Sequence, residues 1–274
     1  MAKYKWCVCD MDGTLLNSKD IITEENESAL KRLQKDGVEV ILASGRVDLM
    51  MKRFIKQLDL KGHVISCNGG LIRHIESGEI VYRNVINKTD VINIIAYCMD
   101  YHLDFLLYTS DLVYSNKMNP KAISYQNLNQ ILTKDLQLQI KYIDDTVIKE
   151  LEDAEIIKIL LVCKDSKEVE LHQNKFSKCD TLTVVSSASG VLDIMASNTS
   201  KGKALKILAE KLKVNLEHVI AFGDNYNDIE MLQCVGMPIA MENSVEKLKA
   251  EAKHITKSND ESGIAYAIHN IIQQ

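Results

Sequence analysis

Both ends of the chain alternate short apolar runs with helical patterns, and this alternation constrains the fold more than any other feature. Residues 3–9, 38–43 and 63–67 are apolar runs of strand length. Between the first two, residues 23–36 carry apolar side chains at helical spacing, and Gly37 follows as a stop. Strand, turn and helix repeated in this way predict a parallel, doubly wound sheet with helices on both faces.

The alternation breaks in the middle of the chain. Residues 104–109 and 112–115 are apolar runs separated by a short turn, as in an antiparallel hairpin, and a helix is predicted over 146–153. From Lys201 the first alternation returns. We therefore predict an α/β protein with a Rossmann-like, doubly wound parallel-sheet core and an inserted α+β domain. The predicted domains are a discontinuous core of residues 1–85 and 191–274, and an insert of residues 86–190.

Composition and charge exclude several classes of function. The chain has 274 residues, of which 46% are hydrophobic and 26% charged, with a net charge of −5. That balance argues against non-specific nucleic-acid binding, which needs a dense basic surface. The longest apolar stretch, residues 155–163, is interrupted by Lys158 and is far too short to span a membrane. We expect neither nucleic acid nor a membrane as a partner.

The cysteines and the N-terminal residues point to one compartment. The seven cysteines are scattered without a C-x-x-C pair, which is typical of free thiols in a reducing cytosol. Cys7 and Cys9 alternate within an apolar run and are predicted to be small core residues rather than metal ligands. The first residues lead directly into that run, without the apolar segment of a signal peptide. We expect a cytoplasmic protein that is a monomer or a weak homodimer.

Polar residues follow several of the predicted core strands, where ligands bind in open parallel sheets. Asp10 and Asp12 follow the first apolar run, Ser44 follows the second, Asp224 and Asp228 come after residues 218–222, and Lys201 opens a predicted core helix. Each has an ordinary alternative, such as an Asx turn or a helix cap. A parallel sheet would nevertheless bring all of them to one edge, and four such accidents in the correct order are improbable together.

The motifs together resemble those of the haloacid dehalogenase superfamily of phosphatases, in the Cof-type branch (subclass IIB) with a large α+β cap inserted after the third strand. The resemblance spans the whole chain. The motifs that carry it are Asp10-Met11-Asp12-Gly13-Thr14, Ser44-Gly45-Arg46, Ser200-Lys201-Gly202 with Ala204-Leu205, and Gly223-Asp224-Asn225-Tyr226-Asn227-Asp228.

The resemblance implies a role for each matching residue. Asp10 is the implied nucleophile, which forms an aspartyl-phosphate, and Asp12 the implied general acid and base. The implied metal ligands are the side chains of Asp10 and Asp224 and the backbone carbonyl of Asp12, with Asp228 acting through a metal-bound water. The implied phosphate-binding groups are Ser44, the amides of Met11 and Gly45, Lys201, and Asn227. Oxygen ligands shared with phosphate and water suit Mg2+ as the cofactor.

The charges of such a site are consistent with these roles. The carboxylates of Asp10, Asp224 and Asp228, together with a phosphate dianion, carry more negative charge than Lys201 and a divalent cation offset. Neighbouring negative charge raises the pKa of a carboxyl group, which favours a protonated Asp12 when substrate binds. A protonated acid is what the first step of the reaction requires.

We predict a magnesium-dependent phosphatase that takes a small-molecule phosphate ester, such as a sugar phosphate, pyridoxal phosphate or flavin mononucleotide. A phosphotransferase or phosphomutase with the same intermediate is an alternative, and a non-catalytic phosphate-binding regulator is another. Arg46 and Asn68 have two open interpretations, as phosphate contacts or as parts of turns. Candidate specificity residues in the insert are Tyr108, Tyr114, Asn116 and Lys117.

Overall fold

The computed structural model describes residues 3–144, 151, 153–188 and 190–272. It divides into two compact units: the first comprises Met1–Tyr82 and Ser200–Gln274, and the second Arg83–Thr199. The helix predicted over 146–153 lies largely outside the described residues.

The strands and helices follow one another as the alternating sequence pattern requires. The strands are β1 (Trp6–Cys9), β2 (Glu39–Ala43), β3 (His63–Ser66), β4 (Leu71–His74), β5 (Ile80–Arg83), β6 (Asp104–Tyr108), β7 (Val113–Ser115), β8 (Ile140–Tyr142), β9 (Lys158–Val162), β10 (Leu182–Ala188), β11 (Val191–Ala196), β12 (Val219–Gly223), β13 (Met237–Ala240) and β14 (His254–Ile255). The α-helices are α1 (Glu24–Lys35), α2 (Asp48–Gln57), α3 (Lys88–Asp100), α4 (Pro120–Ile131), α5 (Ser166–Phe176), α6 (Lys201–Leu212), α7 (Ile229–Gln233), α8 (Glu246–Glu251) and α9 (Gly263–Ala267).

The first unit is built on an eight-stranded sheet of order β14-β13-β12-β1-β2-β3-β4-β5. The run from β14 to β3 is parallel, and β4 pairs antiparallel with β3. The predicted doubly wound parallel sheet is therefore confirmed. The sequence did not predict β4 and β5, which extend the sheet before the second unit begins.

The central strand β1 shows why this sheet has two covered faces. Cys7 and Cys9 pack into the apolar cluster that contains Leu30 of α1, whereas Trp6 and Val8 pack into the cluster that contains Leu205 of α6. Successive side chains of a strand point to opposite faces, so a strand covered on both faces must be apolar throughout. Cys7 and Cys9 are fully buried, which confirms them as core residues.

The second unit contains a six-stranded sheet of order β10-β11-β9-β6-β7-β8, which is antiparallel except for the pairing of β7 with β8. Side chains from α3 and α5 join one apolar cluster with this sheet. Tyr108 and Tyr114 are buried, Asn116 hydrogen-bonds the backbone of Phe105, and Lys117 pairs with Asp104.

The division between the units differs from the predicted boundary at residue 190. Strand β11 follows that boundary, but it pairs with β9 and β10 of the second sheet. Residues 191–199 therefore belong to the second unit, and the first unit resumes at Ser200. Among the described helices, none is both long and apolar enough to cross a membrane.

Candidate active site

The predicted nucleophile lies at the carboxyl end of the central strand. Asp10 is the first residue after β1, and its amide donates a hydrogen bond to the carbonyl of Phe222 in β12 at 3.0 Å. Two neighbouring strands therefore fix its backbone. The side chain is only 7% exposed, so this carboxylate is held largely out of water.

Lys201 reaches Asp10 from the other half of the sequence. It is the first residue of α6, whose N-cap Ser200 accepts a hydrogen bond from the amide of Lys203 at 3.0 Å. The Lys201 ammonium group is completely buried and donates to Asp10 Oδ1 at 2.5 Å and to Asp228 Oδ1 at 2.7 Å. A buried ammonium needs such partners, because desolvation otherwise disfavours its charge.

The loop after β12 supplies the other two acids. Asp228 is fully buried, and its Oδ2 accepts hydrogen bonds from the amides of Asp224 and Asn225 at 3.0 and 3.1 Å. Asp224 Oδ1 accepts from the Thr14 hydroxyl at 2.9 Å. One side-chain oxygen from each of Asp10, Asp224 and Asp228 can be chosen so that the three lie within 4.8 Å of one another.

Gly13 makes room for this cluster. Its φ of +82° lies in the left-handed region, and a Cβ built on it would lie 2.4 Å from Asp224 Oδ2. The Asp-Gly-Thr sequence therefore has two structural functions at this place, because Gly13 admits the carboxylate that Thr14 then orients.

Burial and mutual repulsion dominate the electrostatics of the cluster. Burial raises the pKa of Asp10 well above its ordinary range; Asp228 adds to the shift and Lys201 opposes it. The pKa of Asp224 is raised to about 6 by burial and by Asp228. Burial lowers the pKa of Lys201, but Asp10 and Asp228 outweigh that effect and leave it above its ordinary value.

The cluster fits a divalent cation by charge and by donor type. Three carboxylates and one ammonium leave two negative charges when all four groups are ionised. The donors are carboxylate oxygens, which are the ligands preferred by hard ions such as Mg2+, and the cluster contains neither thiolate nor imidazole. The raised pKa values of Asp10 and Asp224 reflect burial and this excess of negative charge, which a bound cation would offset.

The loops after β2 and β3 form a second polar group. Ser44 is 1% exposed, its amide donates to the carbonyl of Ile65, and its carbonyl accepts from the amide of Asn68. Asn68 adopts a left-handed conformation with φ of 55°. Its side-chain oxygen accepts from Asn227 Nδ2 at 3.0 Å, and a Cβ on Gly45 would lie 3.0 Å from that same oxygen. The predicted phosphate-binding residues Ser44, Gly45 and Asn227 therefore connect through Asn68.

The remaining predicted site residues have different surroundings. The Met11 side chain is fully buried and belongs to the core, so any contact with a ligand would come from its backbone. The Asp12 side chain is 58% exposed and accepts two hydrogen bonds from the Arg46 guanidinium. The Asp12 carboxylate is not part of the cluster formed by the side chains of Asp10, Asp224 and Asp228.

No role for Thr14 was predicted from the sequence, and the roles of Asn68 and Arg46 were left open. Thr14 lies inside the Asp-Met-Asp-Gly-Thr motif, and its partner Asp224 is 210 residues away in sequence. Gly69 has φ of +97°, and a Cβ on it would lie 2.1 Å from the Ser200 carbonyl. The pair of glycines after β3 was the available signal for this close approach.

Comparisons with known proteins agree with the geometry. Residues 7–268 match the family model described as haloacid dehalogenase-like hydrolase. The chain is 29% identical to Phosphatase YwpJ of Bacillus subtilis, covering 98% of this chain and 100% of that one. It is also 29% identical to the 5-amino-6-(5-phospho-D-ribitylamino)uracil phosphatase YwtE of the same organism, covering 98% of both chains.

Solved structures extend the match to three dimensions. A crystal structure of a haloacid dehalogenase-like hydrolase from Bacteroides thetaiotaomicron shares 30% identity and a TM-score of 0.85, and the match covers 98% of this chain and 99% of that one. The resemblance inferred from the four motifs is thereby confirmed. The chain is a hydrolase that belongs to the haloacid dehalogenase-like family, in which the relatives described above are phosphatases.

Proposed function

We propose that this protein hydrolyses phosphate monoesters of small metabolites through an aspartyl-phosphate on Asp10, with Mg2+ as its cofactor. The observation that carries the proposal is the buried Lys201 ammonium, which donates to both Asp10 and Asp228 while Asp224 lies within reach of the same oxygens. The arrangement places a nucleophile, a fixed positive charge and additional carboxylate oxygens together at the carboxyl ends of the parallel strands.

Asp10 would start the reaction. One of its carboxylate oxygens attacks phosphorus, and the bond from phosphorus to the ester oxygen breaks. Asp12 donates a proton to the departing alcohol and then accepts one from the water that attacks the aspartyl-phosphate. That attack breaks the bond between phosphorus and the Asp10 oxygen, which releases inorganic phosphate and restores the carboxylate.

The other side chains would hold charge and orientation. Lys201 offsets negative charge that develops on the phosphoryl oxygens. Ser44 and Asn227, joined through Asn68, bind those oxygens together with the amides of Met11 and Gly45. Asp10 and Asp224, with the Asp12 carbonyl, would hold Mg2+, and Asp228 would orient its water. When bound, Mg2+ neutralises the phosphate and the acidic cluster.

The substrate class that we propose is a small phosphate monoester, either a sugar phosphate or a phosphorylated cofactor such as pyridoxal phosphate or flavin mononucleotide. Two of the relatives, both from Bacillus subtilis, are named as phosphatases of 5-amino-6-(5-phospho-D-ribitylamino)uracil, which is a ribityl phosphate ester. That compound belongs in the substrate panel beside the others.

The test measures phosphate release from this panel with Mg2+ and with EDTA. We expect Asp10→Asn to abolish turnover and the exposed substitution Asp36→Asn to leave it unchanged. A rapid acid quench with radiolabelled substrate should trap label on the wild-type protein and none on Asp10→Asn. Hydrolysis that survived both EDTA and Asp10→Asn would contradict the proposal.

The same preparation separates the alternatives. A phosphotransferase would pass label to added sugars instead of water, so the partition of label between the two identifies it. A regulator would bind Mg2+ and phosphate, or retain label, without turnover. The complete set of nucleophile, ammonium and acidic residues favours hydrolysis over simple binding.

A further inference from the structure

Arg46 holds both oxygens of the Asp12 carboxylate. Its Nε donates to Asp12 Oδ2 at 2.9 Å, and its Nη2 donates to Oδ1 at 2.5 Å. This fork-shaped contact fixes the rotation of a carboxylate more strictly than a single hydrogen bond does. It also joins the loop after β1 to the loop after β2, where the amide of Arg46 donates to the Ser44 hydroxyl at 3.2 Å.

Two further residues hold Arg46 in place. Nη2 of Arg46 also donates to Asp20 Oδ1 at 2.6 Å, and Arg53 of α2 donates to the other oxygen of Asp20. Asp20 has a left-handed backbone with φ of 58°. The buried ring of Phe54 lies beneath both arginines, with its centroid 5.7 Å from Cζ of Arg46 and 4.2 Å from Cζ of Arg53.

We propose that Arg46, Asp20 and Arg53 form a positioning chain that sets the direction of the Asp12 carboxyl group. The inference rests on the proposed role of Asp12 as general acid and base. Asp12 lies in the loop after β1, and its side chain is 58% exposed, so water competes for its carboxylate oxygens. The two-oxygen contact holds the ionised carboxylate, which is the form that accepts a proton from water. When Asp12 acts as the acid, one oxygen carries the proton and the other keeps its contact with Arg46, so the carboxyl group stays in one orientation.

The positioning chain of Arg46, Asp20 and Arg53 is more exposed to water than the acidic cluster. Arg46 and Arg53 are 17% and 27% exposed, and Asp20 is 49% exposed, so an isolated ion pair here would contribute little to stability. A run of four alternating charges is better suited to orientation, because each contact limits the freedom of the next. Arg46, Asp20 and Arg53 therefore act through Asp12 and are positioning residues.

The experiment compares two leaving groups. An alkyl phosphate such as glycerol 2-phosphate needs the general acid, whereas p-nitrophenyl phosphate releases a weakly basic phenolate that does not. For Arg46→Met we expect kcat on the alkyl ester to fall by about 10–100-fold, within the range of general acid catalysis. On the aryl ester kcat should change by less than about 3-fold, and KM should hold for both. Arg46→Lys keeps the charge and loses the fork, so it should be intermediate.

Variants of the other two positioning residues and one control variant complete the series. Asp20→Asn and Arg53→Met should give the same leaving-group pattern with smaller losses, whereas Arg32→Met, an exposed arginine of α1, should change neither ester. In an Asp12→Asn background, Arg46→Met should have almost no further effect, because the group that it positions is then inactive.

The outcomes separate this inference from the proposed function. Equal losses on the two esters, or a rise in KM without a fall in kcat, would mean that Arg46 contacts substrate or supports the fold, and would overturn the positioning role. Absence of hydrolysis of both esters by the wild type would overturn the phosphatase proposal itself. If Asp12→Asn lowered the rates on the alkyl and aryl esters equally, Asp12 would not be the general acid, and the positioning role of Arg46, Asp20 and Arg53 would be contradicted with it.

Discussion

The first and second units each bury a lysine beside carboxylate, and the two surroundings differ in charge. Lys201 of the first unit donates to two acids, Asp10 and Asp228, at 2.5 and 2.7 Å. Lys158 of the second unit lies 3.2 Å from Asp193, with both side chains almost fully buried. Both lysines occur where an apolar environment makes a charge expensive to hold.

The difference distinguishes a ligand site from a structural pair. With Asp224 included, the cluster around Lys201 retains an excess of negative charge, which a divalent cation can offset. The charges of Lys158 and Asp193 cancel each other, and the Lys158 ammonium also lies 4.6 Å from the centroid of the Tyr108 ring. An unbalanced buried cluster therefore points to function more strongly than buried charge alone does.

The largest expected effect comes from removing the first ammonium. Lys201→Met should lower kcat/KM by about 10²–10³-fold or more, because it removes a preorganised positive charge from a site that excludes water. Lys203→Met on the same helix should leave kcat/KM near the wild-type value. Steady-state phosphate release measures both. A Lys201→Met enzyme within about 10-fold of wild type, which is roughly a tenth of the smallest expected loss, would contradict the assignment.

A second prediction concerns the space beside Asp224. Gly13→Ala places a methyl group 2.4 Å from Asp224 Oδ2, which is too close for van der Waals contact, and strains a left-handed backbone. We therefore expect weaker Mg2+ binding and a loss of activity of about 10–100-fold, as for displaced metal-site partners. Gly78 is the matched control, since its φ is +72° and nothing lies within 4 Å of the position its Cβ would occupy.

For Gly78→Ala we expect only the cost of a left-handed backbone at a residue with a Cβ, about 1–2 kcal/mol of folding free energy, with activity retained. Titration of activity with Mg2+ distinguishes the two variants. An unchanged Mg2+ requirement in Gly13→Ala would show that the Asp224 carboxylate can move without consequence, and would weaken the assignment of Asp224 as a ligand.

The third prediction tests the balanced pair. Lys158→Met leaves Asp193 buried without that ammonium, which should cost about 3–5 kcal/mol of folding free energy. This loss should be the same with and without Mg2+. In Lys201→Met, by contrast, Mg2+ should restore part of the lost stability, because the cation replaces the missing positive charge. Denaturant unfolding at two Mg2+ concentrations makes the comparison, and recovery of Lys158→Met by Mg2+ would contradict it.

The parallel sheet could be predicted from the sequence because two patterns agree: apolar runs alternate with helical segments, and polar residues follow the apolar runs. The ends of β1 and β12 lie side by side, so the expectation that Asp10 and Asp224 would meet follows from parallel pairing alone. The proximity of Lys201 followed from the resemblance in its motif. These features depend on backbone topology, which short patterns encode well.

Other features depend on contacts that patterns do not encode. The Arg46–Asp12 fork and its link to Asp20 join side chains from separate loops. Strand β11 has the apolar composition of a core strand and directly precedes the Lys201 motif, so its pairing with the second sheet placed the domain boundary later than predicted. Strand β4 follows Asn68 and two glycines, where a turn was the simpler expectation.

The smallest effect concerns His172, a buried titratable group of the second unit. It is 1% exposed, and its Nδ1 lies 3.0 Å from the Tyr97 hydroxyl. Its other neighbours are Tyr101, the C-cap of the helix that contains Tyr97, and Glu168 of its own helix. Burial lowers the pKa of His172, although Glu168 partly opposes the shift. The folded unit therefore favours the neutral ring more than the unfolded chain does, whose histidine pKa is about 6.5. As pH falls below about 6.5, the unfolded chain binds the proton first, so the free energy of unfolding should decrease from there toward the lower pKa of the folded state. Above about pH 6.5 His172 should make no contribution to the pH dependence.

Thermal unfolding at pH 7.5 and 5.5, each about one unit from the reference pKa, should show a larger decrease in melting temperature for wild type than for His172→Leu. The other histidines titrate in both proteins and cancel in this difference. An equal or larger decrease in the variant would show that the buried ring is already accommodated as a cation, as the ammonium of Lys158 is beside Asp193.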